Sequence, residues 1–172
     1  MRKTNIQPWT KHWEMAYDQE QKLLKEVLED ELVDIFHIGS TSVPAIGYAK
    51  PIIDILIVVK EIEKVDWYNE ALQKAGYEPK GENGIAGRRY FPKGKQNRTH
   101  HVHIFQAGNE HIQTHLDFKM YLMAHPEEAK AYGELKLKLA KQVPENHYIY
   151  QEGKREFVDE LVERARSWRA NR

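Results

Sequence analysis

The run Ile52-Ile53-Asp54-Ile55-Leu56-Ile57-Val58-Val59 constrains this chain more than any other stretch. It is rich in β-branched residues, nearly unbroken in its apolar character and far too short to cross a bilayer. Such a run reads as a strand at the centre of a sheet, covered on both faces. One carboxylate, Asp54, interrupts it. A charge in a covered strand is costly unless it is paired, binds a cation or faces a cleft. Just upstream stands Phe36-His37-Ile38-Gly39-Ser40-Thr41-Ser42-Val43-Pro44, which reads as a strand running into a hydroxyl-rich loop. The amides of Gly39, Ser40, Thr41 and Ser42, with the start of a helix after Pro44, could hold an anion.

The chain has 172 residues, enough for one domain with a core of its own. Its 26 Lys and Arg balance 26 Asp and Glu. No whole-molecule attraction to nucleic acid or to an anionic membrane follows, so neither is expected as a partner. The chain has no cysteine, which excludes disulfides and thiolate metal sites and fits a cytoplasmic protein. The N-terminal Met1-Arg2-Lys3-Thr4-Asn5 leads into no apolar signal core, and no stretch reaches transmembrane length.

The apolar spacing predicts a helix over 10–32 capped by Thr10, a strand over 32–38 and the central strand over 52–59. A helix over 61–75 ends at Gly76, and short strands are expected at 77–79, 88–91 and 99–105. Three helices follow, at 110–124, 127–142 and 148–168, separated by His125-Pro126 and by Pro144. The tyrosines and tryptophans on helical stripes read as core, and the charged face over 110–141 reads as solvated. The result is one domain over residues 1–172, of α/β (α+β) class. A mixed sheet over about 32–106 is flanked by helices, with a helical segment over about 109–170.

Two further groups bear chemistry. His101-Val102-His103 lies on a predicted strand, where positions two apart share a face. Two imidazoles there, joined by Asp54 or His37, would suit Zn²⁺, Mn²⁺ or Ni²⁺ better than Mg²⁺, or supply a base near neutral pH. The plain alternative is an edge strand with hydrogen-bonded histidines. His100 should face the other way. Of Arg88 and Arg89 only one can face a cleft, where it could clamp phosphate. Lys50 leads directly into the Asp54 strand and is the stronger phosphate candidate. Asp117 reads as a surface residue.

The blocks 37–44 and 50–56 resemble the signature of the GrpB family, a group of small bacterial proteins. Residues 116–127 with Ala131-Tyr132 and Leu135-Lys136 resemble its second block, and 150–158 its last. The resemblance implies a nucleotidyltransferase-like fold of the polymerase-β type. In that superfamily an apolar residue and a Gly-Ser pair are followed by two carboxylates one residue apart on a strand. Ile38, Gly39, Ser40 and Asp54 match this pattern, while Leu56 stands at the second carboxylate; Ala45 and Phe36 are lesser departures. The resemblance implies a metal-dependent nucleotidyltransferase. Gly39, Ser40, Thr41, Ser42, Arg88 and Arg89 would hold the phosphates of a nucleoside triphosphate or another small phosphorylated molecule. Asp54, Lys50, His101 and His103 would serve the reaction, with Asp54, His101 and His103 around Mg²⁺, Mn²⁺ or Zn²⁺. Two alternatives stand beside it: a catalytically silent nucleotide- or anion-binding module, which Leu56 favours, and a metal-dependent phosphohydrolase.

Overall fold

Alternation between the two faces of the central strand organises the molecule. The computed structural model describes residues 4–143 and 145–172. The break assigned to Pro144 and the first three residues of the N-terminus lie outside them. In chain order the elements are β1 (Gln7–Pro8), α1 (His12–Leu28), β2 (Leu32–Ile38), β3 (Tyr48–Ala49), β4 (Ile53–Val59), α2 (Asn69–Lys74), β5 (Arg88–Lys93), β6 (His100–Gln106), α3 (Glu110–Ala124), α4 (Pro126–Gln142) and α5 (His147–Ala170). A four-stranded mixed sheet has the order β2-β4-β6-β5. β4 pairs antiparallel with β2 and parallel with β6, and β5 closes the far edge antiparallel to β6.

Ile53, Ile55, Ile57 and Val59 point to one face, where Val102, Ile104 and Phe91 from the neighbouring strands join them. That layer packs on Trp13, Leu24 and Leu28 of α1 and on Ile62, Val65 and Leu72. The opposite face carries Asp54 and Leu56. There Ile38, Leu56 and Phe105 pack beneath Ile112 and Leu116 of α3. A third cluster, with Val43, Ile46, Tyr121, Leu122, Ala129, Tyr132, Leu161 and Ala165, binds the C-terminal helices to one another and to the turn after the Gly39 loop.

Several expectations are corrected. The first helix stops at Leu28, with a 3-10 turn over Glu29–Glu31. Residues 61–75 divide into a 3-10 segment, Ile62–Tyr68, and the short α2. Trp67 on that segment is 76% exposed, so it is no core residue. Tyr77 makes only an isolated bridge to Lys93 rather than a strand. After Pro44 there is a 3-10 turn, Pro44–Ile46, too short to offer a helix dipole. Asp117 is buried: it accepts hydrogen bonds from Gln113 and from Arg169 at 2.8 Å, which ties α5 to α3. Among the described residues no helix is long and apolar enough to cross a membrane.

Candidate functional site

The register of the sheet gathers the chemistry on one face. Asp54 lies opposite Ile38 on β2 and His101 on β6, and Leu56 lies opposite His103. Side chains 54, 101 and 103 therefore point the same way, toward a pocket of about 450 Å³ between the sheet and the C-terminal helices. Gly39, Ser40 and Thr41 form one wall. Asp54, His101 and His103 form the floor, and Lys50, Lys136, Lys154, Tyr132, Tyr150 and His115 complete the lining, with Tyr132 reaching Ser40.

Gly39 lets the loop approach the carboxylate. Its φ of +74° is left-handed, and a Cβ there would lie 2.7 Å from Asp54 Oδ2. Thr41 and Ser42 spend their hydroxyls within the fold. Thr41 Oγ1 pairs with His37 Nε2 at 2.9 Å, and Ser42 Oγ donates to the Gly39 carbonyl at 2.6 Å. Thr41 still reaches the pocket; Ser42 does not line it. His37 projects to the opposite face and stacks on Tyr17, so it cannot join Asp54.

Asp54 is 30% exposed at its side chain, on the pocket side. Its Oδ1 lies 3.2 Å from His103 Nε2 and 3.7 Å from His101 Nδ1. Burial works against its charge, but the hydrogen bond from His103, with the electrostatic pull of the three neighbouring histidines, prevails and holds its pKa below the ordinary carboxylate value. His103 Nδ1 faces Arg88 Nη1 at 3.3 Å. A guanidinium only donates, so Nδ1 must accept, which leaves the proton on Nε2 to be donated to Asp54. With both nitrogens engaged, His103 is not the free base expected from sequence; it orients the carboxylate. His101 and His115 are both pushed down to about 4 by burial, Asp54 opposing the shift in each, and are neutral at neutral pH. His100, as expected, faces away, its Nδ1 2.9 Å from Thr99 Oγ1.

Neither arginine lines the pocket, which corrects their assignment as phosphate ligands. Alternation sends Arg89 to the other face, where it pairs with Asp66 at 2.9 Å. Arg88 is on the pocket's side of the sheet but is buried. Its guanidinium is held by the carbonyls of Glu82 and Asn83 and lies over the Tyr90 ring, so it buttresses His103 from behind.

Sequence reasoning missed the cations that replace them. Lys136 Nζ lies 4.6 Å from the Tyr132 ring centroid, and Lys154 Nζ 5.2 Å from that of Tyr150. The signal was present as a Tyr-x-x-x-Lys spacing repeated on consecutive helices, which puts both members on one face. Lys136 is 2% exposed, although it belongs to a stretch read as solvated. Burial, with Lys154 and Lys50 nearby, drives its pKa far below that of a free lysine; burial also lowers Lys154. His115 was missed as well, although His111 and His115 share a face of α3 at a spacing of four. Its ring centre lies 5.7 Å from that of His103. Among the described residues, two polar atoms of the pocket residues are enclosed without a partner: Tyr150 Oη and His101 Nε2.

The donor set does not fit a pair of divalent cations. Such a pair needs bridging carboxylates. Leu56, at the position of the second one, is wholly buried between Ile38 and Phe105. Among the described residues no group of three or more His, Asp or Glu side chains has the spacing to hold a metal ion. Asp54, His101 and His103 converge as expected, but they contact one another rather than surround a common point.

The profile of the GrpB protein family matches residues 3–164. The UPF0157 protein YqkA of Bacillus subtilis (strain 168) is 48% identical over 171 residues, 99% of this chain; the chain spans only 50% of that protein. The glutamate-rich protein GrpB of Alkalihalophilus pseudofirmus is 34% identical over 158 residues, covering 89% of this chain and 90% of that one. Conserved protein GrpB from Enterococcus faecalis superposes with a TM-score of 0.90 at 40% identity, over 95% of this chain and 99% of that one. The Cid1 poly(U) polymerase gives a TM-score of 0.53 at 14% identity, over 79% of this chain and 43% of the polymerase, a likeness of fold alone. With its mixed sheet flanked by helices in the nucleotidyltransferase manner, and with a profile match over most of its length, the chain belongs to the GrpB family.

Proposed function

We propose that the pocket binds the phosphate chain of a nucleoside triphosphate or a similar small phosphorylated molecule, with lysines rather than a protein-bound cation neutralising its charge. The observation that carries this reading is that Lys50, Lys136 and Lys154 line the same pocket as the Gly39-Ser40 loop, where Asp54 is the one acid among the described lining residues. Lys50 and Lys154 in a partly enclosed space favour a polyanion, because low local dielectric magnifies each attraction, and Lys136, whose charged form burial disfavours, can add its charge as the anion arrives. The fold shared with the Cid1 polymerase is consistent with a nucleotide.

Thermal unfolding with added nucleoside triphosphate, in EDTA, tests the proposal. At a ligand concentration a hundred times Kd, linkage predicts stabilisation by about 2.7 kcal/mol, or roughly 5–10 °C for a chain of this size. Lys50→Ala and Lys154→Ala should each weaken the response. A wild-type response that appears only with a divalent cation overturns the lysine-only reading. No response at all overturns nucleotide binding.

A second reading, nucleotidyl transfer, is favoured by the exposed edge of Asp54, whose carboxylate could take the proton of an acceptor hydroxyl. Pyrophosphate released from a nucleoside triphosphate by the wild type, and lost in Asp54→Asn, would establish it. The phosphohydrolase reading required a metal cluster and has no support in this donor set.

A further inference from the structure

Lys136 is not used by the sheet-side chemistry and is unlike its two neighbours. Its side chain is almost wholly withdrawn from solvent, yet it lines the pocket. Among the described residues no carboxylate lies within ion-pair distance of it, and its Nζ lies over the face of the Tyr132 ring. The pocket wall around it includes Phe118, Tyr132, Tyr150 and Val158. Two other ammonium groups, Lys50 and Lys154, oppose any charge on it, and Asp54 offsets them only in part. An amine in apolar surroundings beside other cations loses its proton and becomes a nucleophile. A lysine that served only to attract phosphate would gain nothing from such burial.

We propose that Lys136 Nζ is a nucleophilic amine that forms an imine with the carbonyl carbon of a small phosphorylated aldehyde or ketone, whose phosphate rests on Lys50 and Lys154. The Nζ lone pair adds to the carbonyl carbon while the C=O pair moves to oxygen. A proton passes from nitrogen to that oxygen, and the carbinolamine then expels water, so that amine and carbonyl become imine and water with no redox partner. The volume of about 450 Å³ suits a ligand of that size. The inference needs the pocket and the amine but not a nucleotide, so it stands or falls apart from the reading above.

Pyridoxal phosphate is the probe, reduced onto the protein with borohydride and located by peptide mass mapping. A single dominant adduct on Lys136 is expected, formed at a rate nearly flat with pH around neutrality. Surface lysines should instead react about tenfold faster for each unit of rising pH. Inorganic phosphate should slow the labelling by phosphorylated pyridoxal and leave that by unphosphorylated pyridoxal unchanged. Lys136→Arg, checked for folding by circular dichroism, should lose the adduct. Labelling spread evenly over surface lysines, or confined to Lys50 or Lys154, overturns the proposal. So does a Lys136 rate that climbs with pH like that of a free amine.

Discussion

His103 Nε2 donates to Asp54 Oδ1 at 3.2 Å while Arg88 donates to the other nitrogen of the same ring, so the acid that lines the pocket is aimed by a relay that begins outside it, on the same face of the sheet. The relay predicts that Arg88→Met disturbs the site from outside it. With its donor to Nδ1 gone, His103 is free to take the other tautomer and to present an acceptor to Asp54. We expect ligand-induced stabilisation to weaken several-fold in Arg88→Met, with Arg89→Met, on the opposite face, behaving as wild type. Thermal shift with a nucleoside triphosphate reads both; equal effects from the two arginines would falsify the relay.

Gly39 and Asp54 are close enough to be tested as a pair. A methyl at position 39 would stand 2.7 Å from Asp54 Oδ2 at a φ that side chains rarely adopt. Gly39→Ala should cost about 1–3 kcal/mol of stability. It should also displace the carboxylate, so the ligand response falls by more than the loss of stability explains. Urea unfolding with and without ligand separates the two effects.

The sheet was legible because its signals are local. An oily run with a lone acid marked β4, and a two-residue spacing put His101 and His103 on one face. β2 was read correctly to the residue, from Leu32 to Ile38. What stayed hidden was non-local. Asp117 looks like any helix-surface acid until Arg169, fifty-two positions away, closes over it. Lys136 sits in a charged stretch, and only the docking of α4 and α5 over the sheet buries it. The arginine pair failed for a different reason: alternation showed that one would face the cleft side, but not that Glu82 and Asn83 would already occupy it.

The pair Asp117–Arg169 has a measurable worth. Asp117 is 8% exposed at its side chain and Arg169 is half-exposed. Arg169→Ala leaves a buried carboxylate with only Gln113 as partner, which should cost about 1–3 kcal/mol. For a chain of this length that lowers Tm by roughly 2–4 °C per kcal/mol. Reversal of the defect by a further Asp117→Asn change, which removes the stranded charge, would distinguish it from lost packing.

Close packing of α4 predicts a sharper loss. A Cβ on Gly133 would collide with the Ile46 carbonyl oxygen, which is backbone and cannot swing aside. Gly133→Ala must therefore push α4 from the turn after the Gly39 loop, carrying Tyr132 and Lys136 with it. Destabilisation of about 1–3 kcal/mol is expected from the overpacking, together with loss of the ligand response. Gly47→Ala offers a control in the same region. Its added methyl meets nothing within 4 Å, so only the cost of its φ of +84° applies.

Acid should unfold the protein from near neutrality. His37, His101 and His115 are each held at about 4 by burial, against 6.5 for a free imidazole. Below about 6.5 the unfolded chain takes up protons that the folded chain refuses, so stability falls until the folded groups titrate near 4. Asp54 adds in the same direction at lower pH, because a depressed carboxylate stabilises above its unfolded value and ceases to as pH drops through its folded one. Tm measured between these limits should decline steadily. His115→Gln should flatten the slope, and an unchanged slope would mean that His115 is already free to protonate in the native state.

Binding of a polyanion should draw in a proton. In the free pocket burial and the ammonium groups of Lys154 and Lys50 outweigh Asp54 and disfavour the charged form of Lys136. A phosphate chain long enough to pass Lys50 and Lys154 and lie against Lys136 itself, unlike a single phosphate held by the other two, adds negative charge beside the amine and favours its protonation. Binding that consumes a proton tightens as pH falls, by up to about tenfold per unit while one group titrates. The decline in affinity on the alkaline side is therefore expected to begin well below the ordinary lysine range. Calorimetry in buffers of differing ionisation enthalpy counts the proton directly. The apparent heat of binding should vary with buffer in the wild type and not in Lys136→Met, which keeps the length of the chain without its amine. A heat independent of buffer in the wild type would mean that Lys136 is already charged before the anion arrives, and that the three lysines share their pocket as three cations.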